Sequence, residues 1–294
     1  MRTDGLFNTK HLRISAKVGE SIWLRPFSDV HRDNELHAAD AWRDWLKYCA
    51  EDGKRAYYLG VGDYMDFVRA HTRAALDILD VEAKDVRHRL QELAREWVTM
   101  FAAELCPFKK NIIGLLGGNH FTEFVEKNSR GKESKQHSDA YLADLLGCDY
   151  LGTMAAVTLT LADQKQGQAD IRIIAHHGAG GATTVGGSLN RVQRMLNGWN
   201  ANIALMGDDH KRGCYPVGDR LSHEIICGRE TLTSNTRWVG RTGSFLRGFE
   251  PGKSSYVVDS AYEPTSIGTI EFELKLKKNS NGSLMVSIGG YQPA

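Results

Sequence analysis

Carboxylates and imidazoles recur along this chain at short spacings that suit divalent cations. Five clusters carry them in order: Asp29 and His31 in SDVH, Asp63 and Asp66 in GDYMD, Asn119 and His120 in GGNH, His176 and His177 in AHHG, and Asp208 and His210 in GDDH. Alternate residues of an extended segment project to one side, so Asp29 with His31, or Asp208 with His210, can reach a single ion. Asn119 adds a neutral oxygen, and Gly117-Gly118 lets the backbone come close beside it. Oxygen and nitrogen donors without a thiolate fit two adjacent cations roughly 3.5–4 Å apart that share a carboxylate. Such a pair lowers the pKa of a bridging water, orients a phosphoryl group and neutralises its developing charge. Any one cluster alone is an ordinary polar turn; the set and its order point to an enzyme.

The elements that must position these residues are legible as apolar runs ending at each cluster: WLRPF, AYYLGV, NIIGLL, IRIIA and NIALM, the first being the weakest. Residues 1–20 read as a polar entry segment with a short edge strand. A strand over Ile22–Phe27, a helix over Asp40–Glu51 stopped by Gly53, and a strand over Ala56–Val61 make a βαβ unit with a parallel sheet. The helix carries Ala41, Trp45, Leu46 and Ala50 at helical spacing. Residues 67–105 read as two helices parted at Asp80–Glu82, with Pro107 closing the segment before a buried strand over Asn111–Leu116. The stretch 126–137 is polar and reads as an exposed loop, followed by a helix over Asp139–Leu146 stopped by Gly147. Ala155–Leu161 and Asp170–Ala175 flank a polar turn as a hairpin, and a helix over Ser188–Leu196 leads to a strand over Asn202–Met206. Beyond Gly213 short alternating strands dominate, at Glu224–Cys227, Tyr256–Asp259, Ile267–Leu276 and Leu284–Ile288, continuing the second half of the core.

Composition excludes several classes. The 294 residues are 41% hydrophobic and 25% charged, which suits a globular α/β chain with a sizeable core. Lys and Arg total 37 against 36 Asp and Glu, so bulk charge draws the chain toward neither nucleic acid nor membranes. Five scattered cysteines without CxxC spacing exclude a zinc ribbon and suit reduced thiols in the cytoplasm. No run approaches the roughly 18 apolar residues of a membrane span.

The series DxH, GDxxD, GNH, H and a final GxxH over residues 22–212 resembles the calcineurin-like metallophosphoesterase superfamily. The resemblance implies a four-layer αββα sandwich of two mixed sheets with helices outside. Residues 1–294 would form one domain, with a core at 20–212, a helical insertion at 67–105 and a β-rich continuation at 213–294. By motif, Asp29, His31 and His210 would hold the first metal, Asp63 would bridge, and Asn119 and a histidine of HHG would hold the second. His177 directly precedes glycine, as the family's ligand often does; His176 is the alternative. His120 would be the non-ligand histidine that protonates the leaving oxygen, with Asp66 orienting it. Asp208 stands where the family has the first histidine of GHxH, and a carboxylate there favours Mn²⁺ or Mg²⁺ over Fe²⁺, Zn²⁺ or Ni²⁺. Phe121 replaces a frequent acidic residue after GNH. Phe67 replaces the phosphate-gripping arginine of the protein phosphatase branch, which is thereby disfavoured.

For the substrate, GAGGATTVGG lacks the ending of a Walker A loop and reads as a rim over the metals. The stretch 236–256 interleaves Arg237, Arg241, Arg247 and Lys253 with Trp238, Phe245, Phe249 and Tyr256, a pattern that can pair phosphates and stack bases. With His176, Arg237 and Arg241 are the candidate substrate contacts. Together with similarity to compact phosphoesterases of bacterial and phage genomes, this favours a phosphodiester of DNA or a nucleotide. A bridging hydroxide would attack phosphorus in line. A phosphomonoesterase and a non-catalytic metal- or anion-binding module are the alternatives.

Overall fold

The computed structural model describes residues 7–67, 84–127, 132–178, 182, 184–226, 229–259, 261–279 and 282–293. The first helix of the expected pair and the break at Asp80–Glu82 lie outside them, as do much of GAGGATTVGG and Cys227.

Two mixed sheets face one another. The first runs β13(Leu284–Tyr291), β12(Glu271–Lys278), β2(Ser21–Phe27), β3(Ala56–Gly60), β4(Ile112–Leu115), with β2, β3 and β4 parallel and β12 antiparallel to both neighbours. The second runs β1(Phe7–Ser15), β7(Met154–Asp163), β8(Gly167–His176), β9(Ile203–Met206), β11(Arg229–Thr242), β10(Arg212–Ile226). Within it β8, β9 and β11 are mutually parallel, while β7–β8 and β10–β11 are antiparallel hairpins. Three apolar clusters define the layers. One, including Leu24, Leu59, Ile113, Leu159, Ile173 and Leu205, fills the space between the sheets. A second packs α1(Ala39–Glu51), α2(Lys84–Leu105) and α3(Ser138–Leu146) on the outer face of the five-stranded sheet, and a third packs α4(Val185–Asn197) on the outer face of the six-stranded sheet. The result is the αββα sandwich.

Sequence chemistry explains the elements nearest the clusters. The first apolar run tolerates Pro26 because β12 pairs only with Ser21–Leu24, so no antiparallel neighbour asks for its missing N–H. The helix α1 follows β2 as expected, but its buried face is Trp42, Trp45 and Cys49, and Ala50 is exposed. Large rings win that face because Phe27 and Phe245 lie beneath it, with Trp42–Phe245 centroids 4.9 Å apart. In α4, Val192 and Leu196 are fully buried and contribute roughly 1.5–3 kcal/mol each.

Three expectations change. Part of the polar stretch 126–137 forms β6(Glu133–His137), antiparallel to β5(Glu123–Lys127); buried Phe124 anchors the pair under the Arg95 guanidinium, 4.3 Å from the ring centroid. Tyr256–Asp259 is a short helix, α5, not a strand: Ser255 Oγ accepts from Val258 N (3.1 Å) at its start, and four residues are too few for β-branched side chains to decide. The strands beyond residue 212 divide between the sheets: β10 and β11 extend the six-stranded one, whereas β12 and β13 join β2 in the other. Among the described residues no helix is long and apolar enough to cross a membrane.

Candidate metal centre

All five clusters follow strands directly. Asp29 and His31 leave β2, Asp63 and Asp66 leave β3, Asn119 and His120 follow β4, His177 follows β8, and Asp208 and His210 follow β9. Because β2, β3 and β4 are parallel in one sheet and β8 and β9 in the other, their C-terminal ends bring the clusters to one edge of the sandwich.

Nine side chains form one continuous network there. His210 Nε2 is 3.4 Å from Asp29 Oδ1, and Asp29 accepts the Asp208 backbone N–H at 3.1 Å. Asp208 Oδ1 accepts from Asn119 Nδ2 at 3.1 Å and lies 4.0 Å from His177 Nε2. His177 Nε2 is 3.1 Å from Asp63 Oδ2, and His31 Nε2 is 4.0 Å from the same oxygen. His31 Nδ1 is 3.4 Å from Asp66 Oδ1, which lies 2.6 Å from His120 Nδ1. Asp63 is the hub: its other oxygen accepts the His120 backbone N–H at 2.9 Å.

The residues fit cations. Nε2 of His31 and of His177 are buried without a hydrogen bond, and both point at Asp63 Oδ2. His177 Nδ1 donates to the Val61 carbonyl at 2.7 Å, so Nε2 is the nitrogen that faces the carboxylates and would take a cation on losing its proton. Three groups of donor atoms each lie within 4.8 Å of one another: Asp29, His31, His210; Asp29, Asp63, His177; and His31, Asp66, His120. Glycines make the approach possible. A Cβ at Gly62 would sit 2.5 Å from His177 Nδ1, one at Gly207 2.6 Å from Asp29 Oδ2, and one at Gly118 would overlap Asp63 Oδ1.

The backbone is strained where the donors sit. Seven described non-glycine residues have positive φ, and five of them are Asp29, His31, Asp63, Asp208 and His210. Each such turn costs roughly 1–2 kcal/mol and persists only where its surroundings over-determine it. Here the loops lock one another: Asp29 N donates to Gly62 O (3.0 Å), Val30 N to Asp63 O (2.8 Å) and Phe245 N to Asp29 O (3.0 Å).

Electrostatics follow from four carboxylates meeting four imidazoles. Burial would raise Asp63, but His177 and His31 beside it hold it well below the usual carboxylate range. Burial likewise opposes the charge on His177, yet Asp63 offsets this and lifts it to about 10. Burial of His120 is outweighed by Asp66, which lifts it to about 9. Asp208 is pushed up by burial. In the metal-free protein His177 therefore carries a proton at neutral pH, and cation binding must expel it. Calorimetric titration with Mn²⁺ at pH 7.5 is expected to show release of about one proton through buffer-dependent enthalpies, with affinity rising as pH increases toward 10. Enthalpies identical across buffers would contradict this.

Asp208 faces Asn119 and His177, and its carboxylate makes no contact with His31 among the described interactions. Asp208→Asn, which keeps a side chain tolerant of φ 71°, is expected to weaken the His177-side cation by at least the roughly 10–100-fold typical of outer-shell changes. Elemental analysis after dialysis showing equal loss from both positions would contradict that division.

Three expected substrate contacts are not among the convergent atoms. Arg241 is 2% exposed, donating to Gly207 O (2.7 Å) and Ser188 O (3.0 Å) and pairing with Asp209 Oδ2 (3.3 Å), so it braces the GDDH loop from behind. Arg237 donates to Gly218 O (3.1 Å), five residues back along β11 from Thr242, a span of roughly 16 Å at strand rise. His176 Nδ1 accepts from Gly178 N (2.8 Å). The middle of the basic-aromatic stretch is core: Phe245 is buried against Trp42, and the partly buried Trp238 packs edge-on against Phe272. Sequence reasoning missed Ser28, whose hydroxyl bonds both Asp29 and Thr242, and the buried Asp139, which accepts from Gly118 N at 3.0 Å behind the Asn119 loop. Both read as a strand end and a helix start, with no spacing to distinguish them.

No family model matches the chain, and no curated protein does. Solved structures that resemble it include Vps29 of Chaetomium thermophilum, at 12% identity over 94% of this chain and 97% of that one, with a TM-score of 0.36. A conserved uncharacterized protein of Streptococcus pneumoniae, described as a predicted phosphoesterase, matches at 11% identity over 93% and 90%, with a TM-score of 0.33. The NAD nucleotidase of Haemophilus influenzae matches at 10% identity over 91% of this chain and 49% of its own, with a TM-score of 0.37. Similarity of this order fixes neither fold nor function, and the chemistry has to come from the side chains.

Proposed function

We propose that this chain is a metal-dependent phosphoesterase. In this reading Asp29, His31 and His210 would hold one divalent cation, Asn119, His177 and Asp208 would hold a second, and Asp63 would serve both. The observation that supports it is the gathering of nine donor and proton-carrying residues from five strand ends, linked at 4.0 Å or less by side-chain contacts and by the Asp208 backbone N–H that Asp29 accepts. When bound, two such cations supply Lewis acidity at phosphoryl oxygens and an activated water. The protein's own part is geometric and protonic. Asp63 sets the spacing, the Val61 carbonyl fixes the His177 tautomer, and Asp66 holds Nδ1 of His120 so that Nε2 is left to protonate a leaving oxygen. Oxygen donors from Asp29, Asp63, Asn119 and Asp208 favour Mn²⁺, then Mg²⁺.

Phosphodiesters of DNA or nucleotides are the substrate class to try first. Burial of Arg241 and Phe245 and partial burial of Trp238 leave that preference resting on Arg247, Phe249 and Lys253, of which Arg247 already pairs with Asp40 and Lys253 with Glu250. A cytoplasmic setting rests on the scattered cysteines. The test is turnover by Mn²⁺-loaded protein of bis-p-nitrophenyl phosphate, p-nitrophenyl phosphate and single-stranded DNA, with a chelated control. Diester turnover abolished by chelation is expected. Monoester turnover alone would make the chain a phosphatase, and no turnover with Mn²⁺, Mg²⁺, Fe²⁺, Zn²⁺ or Ni²⁺ bound would make it a binding module.

A further inference from the structure

We infer that Asn34 is a positioning residue for the Asp66–His120 pair, an inference that takes its catalytic meaning from the phosphoesterase reading. Asp66 is reached from the loops after β2 and β4 and is the only link from His120 Nδ1 to the rest of the site among the described side-chain ion pairs. Its Oδ1 lies against His120 Nδ1 (2.6 Å) and His31 Nδ1 (3.4 Å). Its Oδ2 accepts from Asn34 Nδ2 at 2.6 Å. Asn34 is itself fixed, since its Oδ1 accepts from Leu36 N (2.8 Å) and its backbone N–H donates to His31 O (2.9 Å). With Oδ1 occupied by a backbone N–H, the amide must present its NH₂ to Asp66. Asp33 completes the hold by accepting from Asp66 N (2.5 Å) and Phe67 N (2.8 Å), the latter residue being held at φ 49°. The run DVHRDN thus supplies two expected metal ligands and, two and three residues later, a clamp on the carboxylate that orients His120.

Geometry decides what each partner does. A carboxylate with one oxygen free can rotate about its terminal torsion, which is broad. A donor at 2.6 Å on Oδ2 removes that freedom and keeps Oδ1 toward His120. A carboxylate accepting several donors is also held in its anionic form, which makes it the stronger partner for an imidazole N–H. Asn34 contacts neither Asp63 nor any of the expected cation ligands through its side chain in the described hydrogen bonds, so its loss is expected to spare the metals.

The experiment uses the full chain with ¹⁵N-histidine and two variants, Asn34→Ala and Asn34→Asp, the second preserving shape while removing the donor. In the metal-free parent, a proton on His120 Nδ1, 2.6 Å from Asp66 Oδ1, is expected to give a sharp downfield resonance, assigned by its absence in His120→Asn. Both Asn34 variants should broaden or shift that resonance, while the resonance of His177 Nδ1–H, bonded to Val61 O, stays in place. With Mn²⁺ loaded, both variants should keep the parent metal content. They should lose about 10-fold or more in kcat on a phenyl ester and less on a p-nitrophenyl ester, whose leaving oxygen needs little protonation. An unchanged His120 resonance in both variants overturns the inference, whatever the activity. A shifted resonance in a parent that turns over no phosphoester upholds the clamp and rejects the phosphoesterase reading instead.

Discussion

Asp63→Asn is expected to empty the centre of both cations and to abolish turnover. Asp63 Oδ2 is the atom on which His177 (3.1 Å) and His31 (4.0 Å) converge from different sheets, and Oδ1 holds the His120 backbone. Asp29 and Asp208 also face nitrogens from both sheets, but Asp63 Oδ2 is the oxygen that His31 and His177 share. Asparagine keeps the size and the tolerance for φ 52° but removes the charge and puts an NH₂ where one oxygen was. Breaking a buried charge pair by removing one partner costs roughly 3–5 kcal/mol, or about 10²–10⁴ in affinity. The variant should also stop holding His177 up near 10, so the proton released on Mn²⁺ binding disappears along with the binding. Elemental analysis of the variant after Mn²⁺ loading and dialysis is the check; retention of the parent's metal content would refute the bridging role.

The five clusters that converge were legible because each is local. A short apolar run, a glycine and a pair of donors at fixed spacing describe a strand end, and parallel strands of one sheet must end together. What local reading could not supply is depth. Arg241 and Arg237 differ by four positions on one strand, yet one is fully buried behind the GDDH loop and the other reaches Gly218 O at the rim of a long hairpin. Phe245 looks like a stacking residue in a basic loop until Trp42 and Trp45, two hundred residues earlier in the chain, close over it. The same limit hid Asn34, Asp33 and Asp139. Each acts through one hydrogen bond to a backbone or carboxylate that only the fold brings near.

Strain connects the legible and the illegible parts. Aspartate and histidine at positive φ are uncommon, and five such residues crowd into the loops that carry the donors. No sequence pattern announced them. A loop that only needed to turn would use glycine there; these loops use donors and accept the conformational cost. That cost is offset by the interlocking hydrogen bonds between the loops after β2 and β3 and by the Arg241 brace beneath the loop after β9. A site held this way is pre-organised, which is what the proposed placement of two cations and a leaving group would require.

His120→Asn is the substitution expected to separate catalysis from binding. His120 is about one-third exposed at its side chain, tied at Nδ1 to Asp66, and adjacent to Asn119 without belonging to either expected cation set. Asparagine can still accept or donate near Asp66 but cannot carry a proton to a leaving oxygen. Loss of general acid assistance costs roughly 10²–10⁴ in kcat, while metal content should match the parent. The sign of the pH dependence follows from Asp66, which outweighs burial and lifts His120 to about 9. An acid that Asp66 keeps protonated makes kcat on a phenyl ester fall on the alkaline side, at a pH below the metal-free value of about 9 once cations are bound beside it. In His120→Asn that alkaline fall should vanish, leaving a lower, flatter profile. Equal kcat in variant and parent at pH 7 with both cations retained would remove His120 from the chemistry and leave protonation of the leaving oxygen to solvent.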